Sequence, residues 1–293
     1  MKKFLFNTLF IILKVLSFLP LSVLYLFSDI ARFFIYHVIR YRREVVRRNL
    51  QNSFPEKDLK AIKQIEKKFY RNFVDVFFEI LKAMSISKDY ITKHVRVKNP
   101  ELLEKYLDQG KSLLVVTSHS GNWEWIGNQI GFSSKHHNFG VYKRLRNPYF
   151  EEFTKKHRER FGQLKTIEMN QVLRTLVRLK NQSNLVYMVA DQSPRGAESD
   201  YWTIFLNQET AFFRGMAKMA KALDYAVIYA ESHRVRRGHY EVVLQEIVSD
   251  SKSISEDEII ERYARYLETF IRQYADNWLW SHRRWKHKRK GLS

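Results

Sequence analysis

The residues best suited to chemistry in this sequence are His119 and Glu124, which lie five positions apart in the segment TSHSGNWEW. The segment begins within a buried-strand pattern, SLLVVTS at residues 112–118. If a helix begins near Gly121 or Asn122, His119 precedes it and Glu124 lies in its first turn, so the two side chains can converge. A carboxylate beside an imidazole fixes its tautomer and stabilises the imidazolium that forms on proton abstraction. The segment therefore contains the groups that a general base needs, although a His and a Glu five positions apart also occur often by chance.

The same segment also fits a structural role, because a His can cap a helix and a Glu at the third helical position is common in capping boxes. Free backbone N–H groups at the helix start could in addition stabilise an oxyanion. A nucleophilic Ser118 or Ser120 is a weaker interpretation, since the G-x-S-x-G elbow is absent. The chain has no Cys and no H-E-x-x-H motif, which argues against thiol and zinc-protease chemistry. We expect no metal and no other cofactor.

The composition indicates polyanionic binding partners but does not distinguish one class of partner from another. The 293-residue chain carries 51 Lys and Arg against 31 Asp and Glu, a formal net charge of +20. Such a charge favours nucleic acid, anionic lipid or an acidic carrier protein. The length suits one large domain, and no internal repeat or low-complexity linker divides it. We expect a membrane anchor over residues 1–39 and one domain over residues 40–293 with a basic C-terminal tail.

The N-terminus predicts the anchor. Residues 4–28 contain a single charge, Lys14, and their length matches the roughly 20 residues that cross a bilayer. Lys14 and Pro20 interrupt the run, so a kinked, tilted or partly inserted helix fits as well as a straight span. A signal peptide fits less well, because the apolar stretch is too long and no cleavage site follows it. An interfacial helix and an ordinary core helix remain alternatives.

Basic residues flank the predicted anchor and end the chain. Five arginines lie within nine residues after it: Arg40, Arg42, Arg43, Arg47 and Arg48. Because cytoplasmic loops of membrane proteins are enriched in Lys and Arg, we expect the large domain on the cytoplasmic side, with these arginines among anionic headgroups. The terminal RRWKHKRK, residues 283–290, is typical of nucleic-acid-binding tails. A Trp among cations also suits a membrane interface, which the anchor makes the preferred interpretation.

Hydrophobic periodicity predicts alternating helices and strands in the large domain. Apolar residues at helical spacing predict a long amphipathic helix at residues 57–82. Further predicted strands lie at residues 139–142, 185–190, 226–231 and 240–245. Further predicted helices lie at residues 149–160, 171–180, 210–223 and 255–274. This alternation predicts an α/β fold with a central mixed, largely parallel sheet flanked by helices.

The segment HSGNWE resembles the His-x-x-x-x-Asp/Glu signature of glycerolipid-type acyltransferases, and in this form that of the bacterial lipid A late acyltransferases of the lauroyl and myristoyl type. Other segments resemble the same family in a consistent order: VYKRLRNPYFEEF, RERFG, VYMVADQSPRG, FLNQETAFFRGMAKMAKALDYAVI and WLWSHRRWK. Two departures matter. Lys143 and Arg144 stand where the family commonly has Arg-Pro, and this difference affects which cation would contact the donor or a phosphate. Phe-Leu-Asn at residues 205–207 stands where Phe-Phe-Gly is more usual, and this difference would reshape an acyl-binding wall.

The resemblance implies a mechanism and a location. His119, oriented by Glu124, takes the proton of a hydroxyl, typically on a hydroxyacyl chain of a lipid A precursor, and that oxygen attacks the thioester of an acyl carrier protein. No acyl-enzyme is required, so the lack of Cys is compatible with this route. The acidic carrier and the anionic lipid acceptor match the net charge. The enzyme would lie at the inner membrane with its catalytic domain on the cytoplasmic side.

Charge and resemblance indicate further site residues. The cations expected to contact phosphate or carrier are Lys143, Arg144, Arg146, Arg158, Arg160 and Arg195. The other substrate-binding candidates are Asn122, Asp191, Gln192 and Thr210. Asp191 follows a predicted strand and could bond Arg195 or only a backbone turn. Two other functions stay open: O-acyl transfer onto another glycolipid or aminolipid, and a basic membrane-tethered protein that binds nucleic acid, although no nucleic-acid-binding motif is present.

Overall fold

The computed structural model describes residues 2–194 and 201–289. The α-helices are α1 (Lys2–Ser17), α2 (Leu21–Phe33), α3 (Arg43–Ser53), α4 (Leu59–Lys82), α5 (Lys88–His94), α6 (Glu101–Leu107), α7 (Trp123–Phe132), α8 (Pro148–Glu159), α9 (Val172–Arg178), α10 (Gly215–Leu223) and α11 (Glu256–Gln273). The strands are β1 (Val95–Val97), β2 (Leu113–Thr117), β3 (His137–Tyr142), β4 (Leu164–Glu168), β5 (Asn184–Val189), β6 (Tyr201–Phe205), β7 (Gln208–Phe212), β8 (Ala226–Arg236) and β9 (His239–Val248).

A curled sheet of seven strands forms the centre of the fold, in the order β1-β9-β8-β2-β5-β3-β4. Every neighbouring pair is parallel except β8 and β9. In register, Leu113 of β2 lies opposite Leu185 of β5 and Ala226 of β8. Strand β2 is buried at every position, as expected of a strand that helices cover on both faces. The predicted α/β fold with a mixed, largely parallel sheet is confirmed.

Alternate residues of β2 supply the two hydrophobic layers. Leu114 and Val116 belong to one cluster, together with buried residues of α9, α10 and α11. Leu113 and Val115 belong to the other, where Trp125 of α7 also packs. Because successive side chains of a strand point to opposite faces, one short apolar run serves both layers.

A hairpin outside the main sheet corrects one predicted helix. The helical pattern at residues 210–223 was expected to begin at Thr210, but α10 begins at Gly215 and β7 occupies the preceding residues. Strands β6 and β7 pair with Phe205 opposite Gln208, so Leu206 and Asn207 form a two-residue turn. Both turn residues have positive φ, 51° and 61°, as a type I′ turn requires. Leu is uncommon in that conformation, so the local sequence gives little sign of the turn.

Pro20 divides the apolar N-terminus into two helices. Helix α1 ends at Ser17, and α2 begins at Leu21 and continues as a π-helical turn, Phe34–Val38. The segment Leu21–Val38 is long and apolar enough, by its length and composition, to cross a membrane. The helical break at Pro20 is expected, since Pro lacks the N–H that a continuous helix would need there.

A buried carboxylate on α4 binds two of the arginines that follow the predicted anchor. Glu66 is fully buried and binds Arg43 and Arg47 at 3.1 and 2.9 Å. Arg42 donates to the carbonyl of Ser281 at 3.0 Å. Three of the five arginines expected among lipid headgroups therefore make contacts within the protein instead. A buried carboxylate requires such partners, because an isolated buried charge is strongly unfavourable.

A second carboxylate of α4 joins the N-terminal helices to the sheet. Glu79, also fully buried, accepts hydrogen bonds from Tyr25 of α2 at 2.7 Å, Tyr240 of β9 at 2.5 Å and the Asn122 amide at 3.1 Å. Burial raises the pKa of Glu79, and the hydrogen bonds from Tyr240 and Asn122 act in the opposite direction. One side chain thus contacts α2, the sheet and the residue that precedes α7.

Candidate active site

Strand order brings two distant residues together at the carboxyl edge of the sheet. Strands β2 and β5 are parallel neighbours that end opposite each other, at Thr117 and Val189. His119 and Asp191 each follow two residues later. Since ligands of open α/β sheets gather beyond the carboxyl ends of the strands, this is the position where a site is expected.

His119 is bound at two atoms by one carboxylate. Its Nδ1 lies 2.6 Å from Asp191 Oδ1, and its backbone N–H donates to Oδ2 at 3.0 Å. A carboxylate acceptor places the ring proton on Nδ1 and leaves a lone pair on Nε2. The side-chain amide of Gln192 donates to that Nε2 at 3.3 Å. The His119 side chain is 19% exposed and that of Asp191 only 3%, so the imidazole can meet a substrate while its carboxylate is shielded.

The environment of Asp191 favours its ionised form. Burial alone raises the pKa of a carboxyl group, but electrostatic attraction to the His119 ring and the hydrogen bonds from His119 and Trp278 outweigh it and lower the pKa of Asp191 below its usual value. The Trp278 indole N–H donates to Oδ2 at 2.8 Å. An ionised Asp191 can stabilise a positive charge on the imidazole.

Glu124 does not make the contact expected from its spacing. Its carboxylate is bound by Arg158 of α8 in a bidentate ion pair, with Oε2 3.0 Å from Nε and Oε1 2.5 Å from Nη2. Burial raises the pKa of Glu124, but the Arg158 charge outweighs it, so the pKa lies below the usual value. Among the described residues the carboxylate hydrogen-bonded to the His119 ring is that of Asp191, and the expected Glu124–His119 pairing is corrected accordingly.

The turn between His119 and α7 depends on Gly121 and Asn122. Gly121 has φ of +56°, and a Cβ there would lie 2.9 Å from the Tyr240 ring. Asn122 is the N-cap of α7 and accepts from the Trp125 N–H at 3.1 Å. Because Asn122 is fully buried, it supports the turn rather than making the substrate contact that was expected.

An apolar groove lies beside His119 along α4. Aromatic and aliphatic side chains form most of its lining: Phe69, Phe73, Val76, Trp123, Trp278 and Leu279. Polar lining comes from Asn72, Arg234 and Asp276, among others. Apolar walls with a few convergent polar groups are typical of ligand sites, and it is this lining that indicates a hydrocarbon ligand, since the cavity volume is only about 20 Å³.

The predicted cations occupy different environments. Arg160 donates to the backbone carbonyls of Ala83 and Ile86, so its expected phosphate contact is replaced by a structural one. Lys143, Arg144 and Arg146 are exposed in the loop after β3, whose end also lies at the carboxyl edge of the sheet. Arg195 lies outside the described residues.

Thr210 and the basic C-terminal segment are more buried than expected. Thr210 is 1% exposed and accepts from the Trp285 indole at 2.8 Å, which removes it from substrate contact. Arg284 is 2% exposed and lies over the Phe212 ring, 4.6 Å from its centroid. His287 hydrogen-bonds the carbonyl of Pro194. The segment expected at a membrane interface is therefore packed, at these positions, against the protein.

Two groups near His119 had no functional prediction. Trp278 binds Asp191, and His282 Nε2 accepts from both the N–H and the hydroxyl of Ser193, at 3.2 and 3.1 Å. The sequence places these residues in WLWSHRRWK, more than 80 positions after Asp191, and gives no indication of which strand end they meet. The Trp N–H is the one local sign, since a buried indole requires an acceptor.

Protonation of His282 is expected to lower the stability of the folded protein in acid. Burial lowers its pKa to about 4, and protonation would remove the lone pair that accepts from Ser193. The pKa of His282 in the folded protein lies below its unfolded value of about 6.5. The stability that neutral His282 contributes is therefore fully present above about pH 6.5 and is lost as the pH falls toward 4. We expect His282→Gln, which keeps an acceptor, to lose about 2–4 °C less in Tm between pH 7 and 5 than the wild type. The measurement is thermal unfolding in detergent.

His137→Gln provides the comparison for this titration, because His137 is exposed at the start of β3. Its Tm should fall with pH as the wild-type Tm does. An equal fall in all three proteins would contradict the role assigned to His282.

A hydrogen-bonded His and Asp at the carboxyl edge of an α/β sheet, next to an apolar groove, form an enzyme-like site in which the imidazole could take the proton of a bound hydroxyl group. The sequence comparison is more specific. The chain belongs to the bacterial lipid A biosynthesis acyltransferase family, whose model matches residues 1–287. The protein is thus an acyltransferase of lipid A biosynthesis, and the family predicted from the sequence is confirmed. No curated protein matches the sequence.

Proposed function

We propose that this acyltransferase is of the late type and transfers a fatty acyl group from an acyl carrier protein thioester to the hydroxyl of a hydroxyacyl chain on a lipid A precursor. His119 is the general base, and Asp191 takes the orienting role that the spacing had given to Glu124. The observation that carries the proposal is the 2.6 Å contact between His119 Nδ1 and Asp191 Oδ1, which directs Nε2 away from the carboxylate.

The chemistry requires one proton transfer in each direction. Nε2 of His119 takes the proton of the acceptor hydroxyl while its oxygen bonds to the thioester carbonyl carbon. When the C–S bond breaks, the carrier thiolate leaves and takes the proton back from the imidazolium, which yields an ester and a free thiol. Asp191 stabilises the imidazolium between these steps. Gln192, 3.3 Å from Nε2, must release that nitrogen when the hydroxyl binds.

The groove supports a lipid acceptor delivered from a membrane. Phe73 lines the groove, and its ring stacks on Tyr41 with the centroids 6.1 Å apart. Tyr41 is 41% exposed and follows the apolar helical segment Leu21–Val38 by three residues. A hydrocarbon chain in a bilayer around that segment would have a short apolar path to His119. We place the protein at the inner membrane, with its sheet on the cytoplasmic side.

The charge distribution supports an acidic carrier as donor. The exposed loop after β3 carries Lys143, Arg144 and Arg146 at the same edge of the sheet as His119. Opposite charge on a partner increases the rate of association and helps to fix its orientation. The nucleic-acid hypothesis has less support, because Arg284 of the C-terminal segment is buried. Transfer onto another glycolipid or aminolipid uses the same site and is the second candidate acceptor.

Purified protein in lipid nanodiscs tests the proposal directly. A lipid A precursor should gain the mass of one fatty acid, less one water, when an acyl carrier thioester is supplied. The corresponding coenzyme A thioester should react at least about tenfold more slowly, because it lacks the acidic carrier surface. Mass spectrometry of the lipids measures both.

An aminolipid and a glycolipid without lipid A structure serve as competing acceptors in the same reaction. Acylation of either, with the lipid A precursor unchanged, would contradict the proposed acceptor and favour the second candidate.

A further inference from the structure

The segment after α11 returns across the carboxyl edge of the sheet and contains three tryptophans whose indole N–H groups all have acceptors. Trp278 donates to Asp191 Oδ2 at 2.8 Å. Trp280 donates to the backbone carbonyl of Ala275, and Trp285 donates to Thr210. Of these three indoles, that of Trp278 alone contacts the carboxylate beside His119.

The hydrogen bonds to Asp191 restrict the rotation of its carboxylate. Oδ1 accepts from His119 Nδ1, and Oδ2 accepts from both the His119 backbone N–H at 3.0 Å and the Trp278 indole at 2.8 Å. Because Asp191 is 3% exposed, water cannot readily replace a lost donor. The Trp278 N–H therefore keeps Oδ2 in place and, through the rigid carboxylate, keeps Oδ1 directed at the imidazole.

The same segment also binds the two loops that carry this pair. Ser120, next to His119, forms an isolated antiparallel bridge with Trp278, and the Gly121 N–H donates to the Asn277 carbonyl at 3.3 Å. On the other side, the Ser193 N–H donates to His282 at 3.2 Å. A chain segment near the C-terminus thus contacts both strand ends, which are 72 residues apart in sequence.

We propose that the segment of residues 277–282 holds the two strand-end loops together and that Trp278 is a positioning residue, which sets the orientation of Asp191 toward His119 through its indole N–H. This inference rests on the proposed role of His119 as general base. It assigns a function to a C-terminal segment in which, among the described residues, the Trp278 indole donates a hydrogen bond to the carboxylate of the pair. Trp278 acts through Asp191 and takes no part in proton transfer.

Trp278→Phe removes the N–H and keeps an aromatic ring. We expect kcat to fall about 10- to 100-fold, with little change in KM for either substrate, because binding surfaces away from Asp191 are retained. A carboxylate that loses one donor becomes a stronger base. The acid limb of the pH profile of kcat/KM should therefore move to higher pH, a shift that a general loss of stability would not produce.

Trp280→Phe is the matched control. Trp280 is equally buried, stacks edge-on against Trp278 with centroids 4.8 Å apart, and donates to a backbone carbonyl instead. Its pH profile should match that of the wild type. Where Trp278→Phe fails to fold, replacement of Trp278 with benzothienylalanine keeps the bicyclic shape and removes only the N–H donor.

A spectroscopic measurement separates this inference from the proposed function. In protein labelled with ¹⁵N at its histidines, the Nδ1–H proton of His119 should resonate far downfield, and that resonance should shift in Trp278→Phe but stay in place in Trp280→Phe. If the resonance shifts in Trp278→Phe while the wild-type protein transfers no acyl group, the positioning role is supported and the proposed function is refuted. An unmoved resonance, or identical pH profiles for the two Trp variants, would overturn the positioning role.

Discussion

His119→Ala is expected to leave the fold intact and to lower the rate of acyl transfer by about 10²–10⁴-fold, the usual contribution of a general base. The side chain is partly exposed at the groove, so its removal leaves no large cavity. Asp191→Asn should lower kcat as well, because an amide cannot stabilise an imidazolium as a carboxylate does. Steady-state kinetics with a lipid A precursor and an acyl carrier thioester, alongside circular dichroism, measure both effects.

His136→Ala is the control, since His136 lies after α7 and before β3, at the opposite edge of the sheet. Its kinetics should equal those of the wild type. If His119→Ala retained wild-type turnover while folded, the role of general base would be refuted. If Glu124→Gln, and not Asp191→Asn, changed the acid limb of the pH profile, the orienting carboxylate would be Glu124 after all.

Disruption of the Glu124–Arg158 pair is expected to lower the free energy of unfolding by about 3–5 kcal/mol, because either single change leaves a largely buried charge without its partner. The two side chains are only 16% and 26% exposed. Glu124→Gln and Arg158→Met should each show this loss, and the double variant should recover at least half of it. Chemical unfolding in detergent measures the difference, which corresponds to roughly 10 °C in Tm.

Helix α8 also carries a suitable control pair. Lys156 and Glu152 form an ion pair at 2.7 Å, but their side chains are 76% and 66% exposed. Glu152→Gln should therefore change the free energy of unfolding by less than about 1 kcal/mol. Equal effects of Glu124→Gln and Glu152→Gln would show that burial does not strengthen the inner pair.

Local patterns in the sequence were sufficient for the position of His119 and for five of the seven strands of the sheet, but not for β1 and β4. A strand that is covered on both faces must be apolar at nearly every residue, so SLLVVTS was recognisable as β2 without its neighbours. The polar residues at its end and the N-cap Asn122 placed His119 between strand and helix. The ordered family segments then gave the class of enzyme, which the family model confirms.

Only the tertiary structure decided which groups His119 and Glu124 contact. Asp191 meets His119 because β5 is the sheet neighbour of β2, although 72 residues separate the two side chains in sequence. Arg158 of α8 likewise meets Glu124 of α7 across 34 residues because the two helices are brought together by the fold.

Hydrophobic periodicity reports how each segment is buried, whereas strand order and the path of the C-terminal segment depend on contacts between distant parts of the chain. The sequence by itself therefore predicted the fold and the position of His119, and packing decided that the Asp191 carboxylate meets its ring and that the Trp278 indole meets that carboxylate.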